Sequence, residues 1–356
     1  MISYLPENCL ALYADLLQKV ALHPAALAGS YVSKSINGKV YWYHQTDTVA
    51  GRKQEYLGQE SAELLEDISE RRKAITLARE LLVERKRLVA MLGVAGAHME
   101  KGRVARIVGK LSDAGLFGAG GVMVGSFAFS CYGNMLGAKT SSELSRTEDI
   151  DFSLARTIAI AFNRNMQEVL LDAEPTLRTP VQINPRIIPF EMVAPDGFKV
   201  EFLTTKESAA DTSPVNIERF SVYAQPLDFM DYLLADTQNA VMLNGAGIPV
   251  SVPNPARFAM HKLAVSQLRP IGLQAKILKD IKQASALIEI LSGDNPGALI
   301  LAMSDAFKRQ DGFSLFLLNG IRRLDGAMQA LLADAYGGKL PEVTFNTATG
   351  RYEVTN

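Results

Sequence analysis

The longest regular pattern in the chain runs from residue 61 to about residue 95. Leu64, Leu65, Ile68, Ile75, Ala78, Leu81, Leu82, Leu88, Val89 and Leu92 recur there at helical spacing, and Gly93 and Gly96 follow. This spacing predicts one long helix. A shorter helix is expected over residues 5 to 22, where Leu10, Leu12, Leu16, Leu17 and Val20 are apolar and His23-Pro24 stops the run. Between them the sequence alternates in GSYVSKSINGKVYWYHQTD. Its Asn37-Gly38 pair predicts a hairpin, because both central residues of a type I′ turn need positive φ. A third strand is expected near Lys53 to Leu57.

Downstream, Arg103 to Leu116 reads as a helix, Val122 to Val124 as a strand buried on both faces, and Asp149 to Leu154 as a second strand. A helical stretch is expected near 156 to 172. Ile187 to Val193 and Phe198 to Leu203 predict a hairpin turned by Ala194-Pro195-Asp196-Gly197. Short strands follow from Val215 to Val252, with a turn at Asn244 to Gly247. Asn254-Pro255 then opens a helical region as an N-cap followed by proline in the first turn. Helices are expected over Pro255 to Leu268, Leu273 to Leu291, and near 295 to 308 and 313 to 336; the last fifteen or so residues read as a strand or a loose tail. The expected fold class is α+β, with an accessory module (1–102), a mixed-sheet core (103–252) and a helical C-terminal domain (253–356).

Composition narrows the picture. A chain of 356 residues has room for two or three domains, and its formal net charge of −1 supplies no global basic field for nucleic acid. Two cysteines, no apolar run of about 18 residues and no basic leader predict a cytoplasmic protein outside the membrane. One local exception is the hairpin, where Tyr31, Tyr41, Trp42, Tyr43 and Tyr56 interleave with Lys34, Lys39, Arg52 and Lys53. Either the rings stack bases while the cations meet phosphates, or the rings fill one face of a thin sheet and the lysines solvate the other. The clusters Glu70 to Lys73 and Glu84 to Arg87 read as a solvated helix face, with a nucleic-acid stripe as the alternative.

The chemistry concentrates between Gly120 and Ser153. Asp149 and Asp151 stand two apart on one strand, so both carboxylates point to the same side. Like charges side by side are costly unless a cation lies between them. Upstream, Gly125-Ser126 turns the chain into a helix with Ser126 as its expected N-cap, and a helix N-terminus accepts phosphate. Glu201 is a third carboxylate, set in an apolar strand. Three carboxylates on neighbouring strands could hold two Mg2+ ions, with Mn2+ as the alternative, about 4 Å apart around an in-line displacement. Such a site moves a nucleotidyl group from a nucleoside triphosphate (NTP) to a hydroxyl. The polar loop Leu136 to Arg146, with Lys139 and Arg146, is the expected place of substrate selection. His261 reads as a packed or capping residue, His44 and His98 lack sequence partners, no Cys/His spacing suggests zinc, and Gly118 to Gly121 is no P-loop.

Gly-Ser, then Asp-x-Asp, then a carboxylate in a hairpin strand resembles the polymerase-β type nucleotidyltransferase superfamily. The segments VGSFAFSCYGNMLG, RTEDIDFS, KVEFLTT, VPNPARFAMHKLAVS and KILKDIKQASALIEIL, with the hairpin YWYHQ…YLGQES, are similar to bacterial nucleotidyltransferase-fold proteins. The resemblance implies that Gly125 and Ser126 bind phosphate and that Asp149, Asp151 and Glu201 bind metal. Two departures stand out: Glu where Asp is usual at the third position, and 23 residues between Ser126 and Asp149. A weaker likeness, through Lys262-Leu263 and Lys279-Asp280, is to nucleotidyltransferase toxins of abortive-infection systems. By that analogy Lys262 neutralises triphosphate charge and Asp280 is a general base or orients Lys262. An ordinary helix salt bridge among Lys276, Lys279 and Asp280 is the competing expectation. The function expected is NMP transfer to tRNA, other RNA or protein. The alternatives are a catalytically silent nucleotide- or RNA-binding module, or a toxin held by an antitoxin or defence partner.

Overall fold

The computed structural model describes residues 3–22, 29–48, 51–145, 147–156, 165–181, 188–208 and 210–355. At the N-terminus, β1 (Ser3–Tyr4) leads into α1 (Asn8–Ala21), whose Cys9, Tyr13, Leu16 and Val20 are buried. Strands β2 (Ser30–Ile36), β3 (Lys39–Thr48) and β4 (Gly51–Gln59) form an antiparallel sheet. Asn37 and Gly38 both have positive φ, as the type I′ turn demands. Ser61 then accepts a hydrogen bond from the Leu64 amide and caps α2 (Ala62–Val94). At one end α2 lays Ile68 and Ile75 against Tyr31 of the sheet. At the other, Leu88, Val89 and Leu92 pack with α1. Nearby, Arg85 is buried and donates to the carbonyls of Ala246 (2.9 Å) and Gly247 (2.7 Å).

The centre is built around a mixed sheet. Its elements in chain order are α3 (Gly102–Asp113), β5 (Gly121–Val124), α4 (Gly125–Met135), β6 (Ala138–Lys139), α5 (Ser142–Ser145), β7 (Asp149–Leu154), α6 (Met166–Ala173), β8 (Glu191–Val193), β9 (Lys199–Thr205), β10 (Val215–Ile217), β11 (Val222–Leu227), α7 (Met230–Leu234), β12 (Thr237–Met242) and β13 (Ile248–Pro253). The sheet order is β10-β11-β9-β7-β5, with β8 also pairing β9. The pairs β7–β9 and β9–β11 are parallel, and the others are antiparallel. All four residues of β5 are buried. Phe127, Phe129 and Tyr132 of α4 are buried in the same core. The loop expected from Leu136 to Arg146 contains β6, which pairs with β1, and α5. The hairpin at Ala194–Gly197 forms with β8 as its first strand; of the strand expected from Ile187, the described residues 188–190 are not in it, and residue 187 lies outside the described residues. A helix was expected over 156–172; α6 forms from Met166, behind Asn165 as its N-cap, and residues 157–164 lie outside the described residues.

Asn254 caps α8 (Pro255–Ser266) by accepting from the amides of Ala256 and Arg257. Then come α9 (Gln274–Asp294), α10 (Pro296–Phe307), α11 (Phe313–Ile321), α12 (Gly326–Ala335), β14 (Glu342–Asn346) and β15 (Arg351–Thr355). One helix was expected over 313–336. The chain instead breaks at Arg322 to Asp325, and Asp325 caps a second helix by accepting from the Met328 amide. The final residues form an antiparallel hairpin. Gly320 lets α11 approach the backbone of α8, since a side chain there would strike the Leu263 carbonyl. Apolar packing runs without interruption from Ile107 of α3 to Leu332 of α12, so the α8 to α12 helices share the core of the sheet. The fold is α+β, with a mixed sheet and a helical C-terminal part.

Candidate active site

Parallel pairing of β7 with β9 sets Asp149 opposite Lys199 and Asp151 opposite Glu201. The alternate residues Ile150, Phe152, Val200 and Phe202 are buried in the core. Asp149, Asp151 and Glu201 therefore emerge together on the other side of the sheet, each only half-buried. Gly125, at the start of α4, has φ +66° and leaves room for the Asp151 carboxylate. Any Cβ at that position would overlap Asp151 Oδ2.

Crowding three carboxylates has an electrostatic cost. Burial first, then Asp149 and Glu201, raise the Asp151 carboxyl from 3.8 to about 7. Burial and Asp149 also raise Glu201. Asp149 accepts from the Thr147 hydroxyl and has Lys276 Nζ 3.8 Å away. Lys199 Nζ lies 2.9 Å from Glu191, beside the trio.

The carboxylates share a cleft of about 440 Å3 with cations from α8, α9 and the segment between them. Lys262, Arg269 and Lys276 line it, together with Leu203, Leu227, Met230 and Phe258 on the apolar side. Lys262 Nζ is 2.7 Å from Asp280, and Arg269 Nε donates to the other oxygen of the same carboxylate. Burial would raise the Asp280 carboxyl, yet Lys262 and Arg269 together hold it below its ordinary value. Beside Lys262, His261 also lines the cleft, and its Nε2 is buried without a hydrogen-bond partner. Burial and the neighbouring Lys262 lower His261 to about 3, so its imidazole is neutral.

The sequence-predicted residues are thus sorted by the fold. Asp149, Asp151, Glu201, Lys262 and Gly125 line one cleft. Asp280 does not line it; one of its oxygens accepts from Lys262 and the other from Arg269. The local salt bridge expected within α9 is replaced at Asp280 by a bridge to α8. Ser126 is not the N-cap: α4 begins at Gly125, Val124 holds the cap position without a side-chain cap bond, and Ser126 is buried in the first turn. Lys139 does not reach the cleft, because β6 pairs with β1 and the lysine's end lies beside Gly96. Arg146 lies outside the described residues. His98, expected to lack a partner, has Nε2 3.4 Å from Glu100, and the His44 ring stacks on Tyr31. Sequence reasoning missed Arg269 and considered Lys276 only within a competing local helix bridge. The cation-rich run from Arg269 to Lys282 was the available signal.

The donors fit a hard divalent cation, since all three are carboxylate oxygens. Among the described residues no three His, Cys, Asp or Glu side chains form a ready-made metal cage. Mg2+ does not require one, because it binds through one or two carboxylates and completes its shell with water and substrate phosphate. Among the described residues no helix is long and apolar enough to cross a membrane. No curated protein and no solved structure matches the chain. A family model described as nucleotidyltransferase matches residues 102–308, a span that holds the carboxylate trio, Gly125, Lys262 and Asp280. The chain belongs to that nucleotidyltransferase family.

Proposed function

We propose that this protein transfers a nucleoside monophosphate from an NTP to an acceptor hydroxyl in a Mg2+-dependent reaction. The observation that supports this most is the carboxylate trio sharing one cleft with Lys262, Arg269 and Lys276. Asp149 and Asp151, with Glu201 beside them, would hold the cation. When bound, Mg2+ neutralises phosphate charge and polarises the reacting phosphoryl group. Lys262, held in place by Asp280, meets the negative charge that builds on the departing pyrophosphate, and Arg269 and Lys276 add to it. The apolar side of the cleft, with Leu203, Leu227 and Phe258, takes the nucleobase.

In the transfer, the acceptor oxygen forms a bond to the α-phosphorus. The bridging bond to the β-phosphate breaks, and its electron pair leaves with pyrophosphate. The hydroxyl proton passes to a carboxylate oxygen of Glu201. The acceptor class proposed is RNA, tRNA above all, with a protein hydroxyl as the second candidate.

The test incubates the protein with each α-labelled NTP, Mg2+ and either total tRNA or cell lysate. Label should move to a macromolecule, and the Asp149→Ala/Asp151→Ala double variant should move none. If wild type binds NTP but labels nothing with any acceptor, the chain is a silent nucleotide-binding module. If expression arrests growth and the double variant relieves the arrest, the reading as a restrained toxin is favoured.

A further inference from the structure

The β2–β4 sheet plays no part in the cleft, yet its chemistry is specific. The rings do not all fill one face, because the aromatics divide between the two faces. Tyr31 packs against Ile68 and Ile75 of α2, with Trp42 beside it. On the opposite face, register places Tyr43 opposite Tyr56 and Tyr41 opposite Lys34. There the Tyr43 and Tyr56 ring centroids are 5.5 Å apart and those of Tyr41 and Tyr56 are 6.2 Å apart. Tyr56 is 57% exposed, and Tyr41 and Tyr43 are half-exposed. The shift in register between Trp42 and Tyr43 brings Tyr43 level with Tyr56.

Charge on this face has one sign around the rings. Lys34 Nζ sits 4.8 Å from the Tyr43 ring centroid and donates to Gln54 at 2.6 Å, a neutral partner that leaves the charge uncompensated. Lys39 is on the same face and exposed. Among the described side chains of the face, no carboxylate stands next to the three rings; in the register Asp47 falls opposite Arg52, at the far end of the strands. Three adjacent rings with two cations beside them offer flat surfaces for bases and charges for the linking phosphates. The platform is also set apart from the cleft. From Ile68, under the sheet, to Arg85, anchored on the core, α2 rises about 25 Å.

We infer that the face of the β2–β4 sheet bearing Tyr41, Tyr43, Tyr56, Lys34 and Lys39 binds single-stranded nucleic acid by stacking. The rings are sequence-tolerant acceptors of bases, so the site selects strandedness rather than sequence. It does not depend on the proposed transferase chemistry and is tested separately from it.

The experiment measures fluorescence anisotropy of a labelled unstructured RNA of about twelve nucleotides with the full chain, alongside DNA of the same sequence, the RNA in duplex form, and unlabelled polyphosphate as competitor. Both single strands should bind, with affinity falling as salt rises. An RNA preference would name RNA as the natural strand, and the reverse would name DNA. Tyr43→Ala and Tyr56→Ala should each weaken binding by roughly tenfold. Tyr56→Phe should stay within about twofold because it keeps the ring. Lys34→Gln should lower the salt slope by about one unit. Circular dichroism on every variant shows that the sheet persists. Failure of both oligonucleotides to bind, equal binding by the duplex, displacement by polyphosphate at equal phosphate concentration, or wild-type affinity in the Tyr43→Ala/Tyr56→Ala variant would each overturn the inference.

Discussion

Gly125 and Asp151 occupy one space: the hydrogen on the glycine α-carbon is all that separates the start of α4 from the carboxylate on β7. Gly125→Ala therefore combines a left-handed backbone at φ +66° with a direct clash against the cleft. The conformational part alone should cost about 1–2 kcal/mol, read by urea denaturation. Label transfer should fall much further than stability, because the displaced group is a carboxylate of the trio. A variant that keeps full transfer would show that Asp151 has freedom to move.

Lys262 and Asp280 are predicted to separate by readout. Lys262→Met removes a cation facing the cleft but leaves Asp280 paired with Arg269, so transfer should fall by about 100-fold with modest loss of stability. Asp280→Asn leaves two buried or half-buried cations sharing one neutral amide. It should cost about 3 kcal/mol in chemical denaturation, with transfer lost through displacement of Lys262. Equal stability losses for the two variants would contradict the bridging role of Arg269.

Two groups of opposite sign should shape the stability of the metal-free protein with pH. Asp151 is raised from 3.8 to about 7, so its contribution favours the fold at low pH and is lost as pH rises through about 7. His261 is lowered from 6.5 to about 3, so its contribution is present above 6.5 and is lost as pH falls toward 3. Between 3.8 and 6.5 the two oppose each other. Melting temperatures taken in EDTA should accordingly rise with pH in Asp151→Asn and fall with pH in His261→Gln over that window. Parallel profiles for wild type and Asp151→Asn would show that the raised carboxyl is not Asp151. Excess Mg2+ should stabilise wild type most above about pH 7, where Asp151 is ionised.

Arg85 should behave as the bolt between α2 and the β12–β13 turn. Arg85→Met keeps the aliphatic stem and strands the carbonyls of Ala246 and Gly247, at a cost of about 2 kcal/mol. Amides of α2 and of the β2–β4 sheet should then exchange hydrogen faster, while those of β7 and β9 keep their protection. Uniform acceleration throughout would place Arg85 in the global core instead.

Much of the fold was legible locally. The hairpin at Asn37-Gly38, the start of α2 near residue 61 and the Asn254-Pro255 opening of α8 are short-range signals, and each element forms where its residues put it. The two-residue spacing of Asp149 and Asp151 carried the facing of their side chains. What periodicity could not carry was pairing across distance. Within α9, Asp280 has Lys276 one turn before it, which suggests a local bridge. Its partners are instead Lys262 and Arg269, brought in by the packing of α8 on α9, while Lys276 turns to Asp149.

Likewise Ser126 has the residue type of a cap, but α4 starts one residue earlier because Gly125 takes the left-handed turn. The facing of Asp151 and Glu201 depends on a parallel ladder between strands far apart in the chain, which no local window contains.

The same ladder decides when the protein becomes competent. In a strand, a slip of one position sends every side chain to the other face. A β9 displaced by one residue would bury Glu201 and push Val200 and Phe202 toward solvent. The apolar cost of the slip therefore guards the carboxylate geometry. Because the pairing closes a long loop, it belongs among the slower steps of folding. A nascent or partly assembled chain would carry every one of these residues and still lack the trio, so the carboxylates meet only after the sheet is complete.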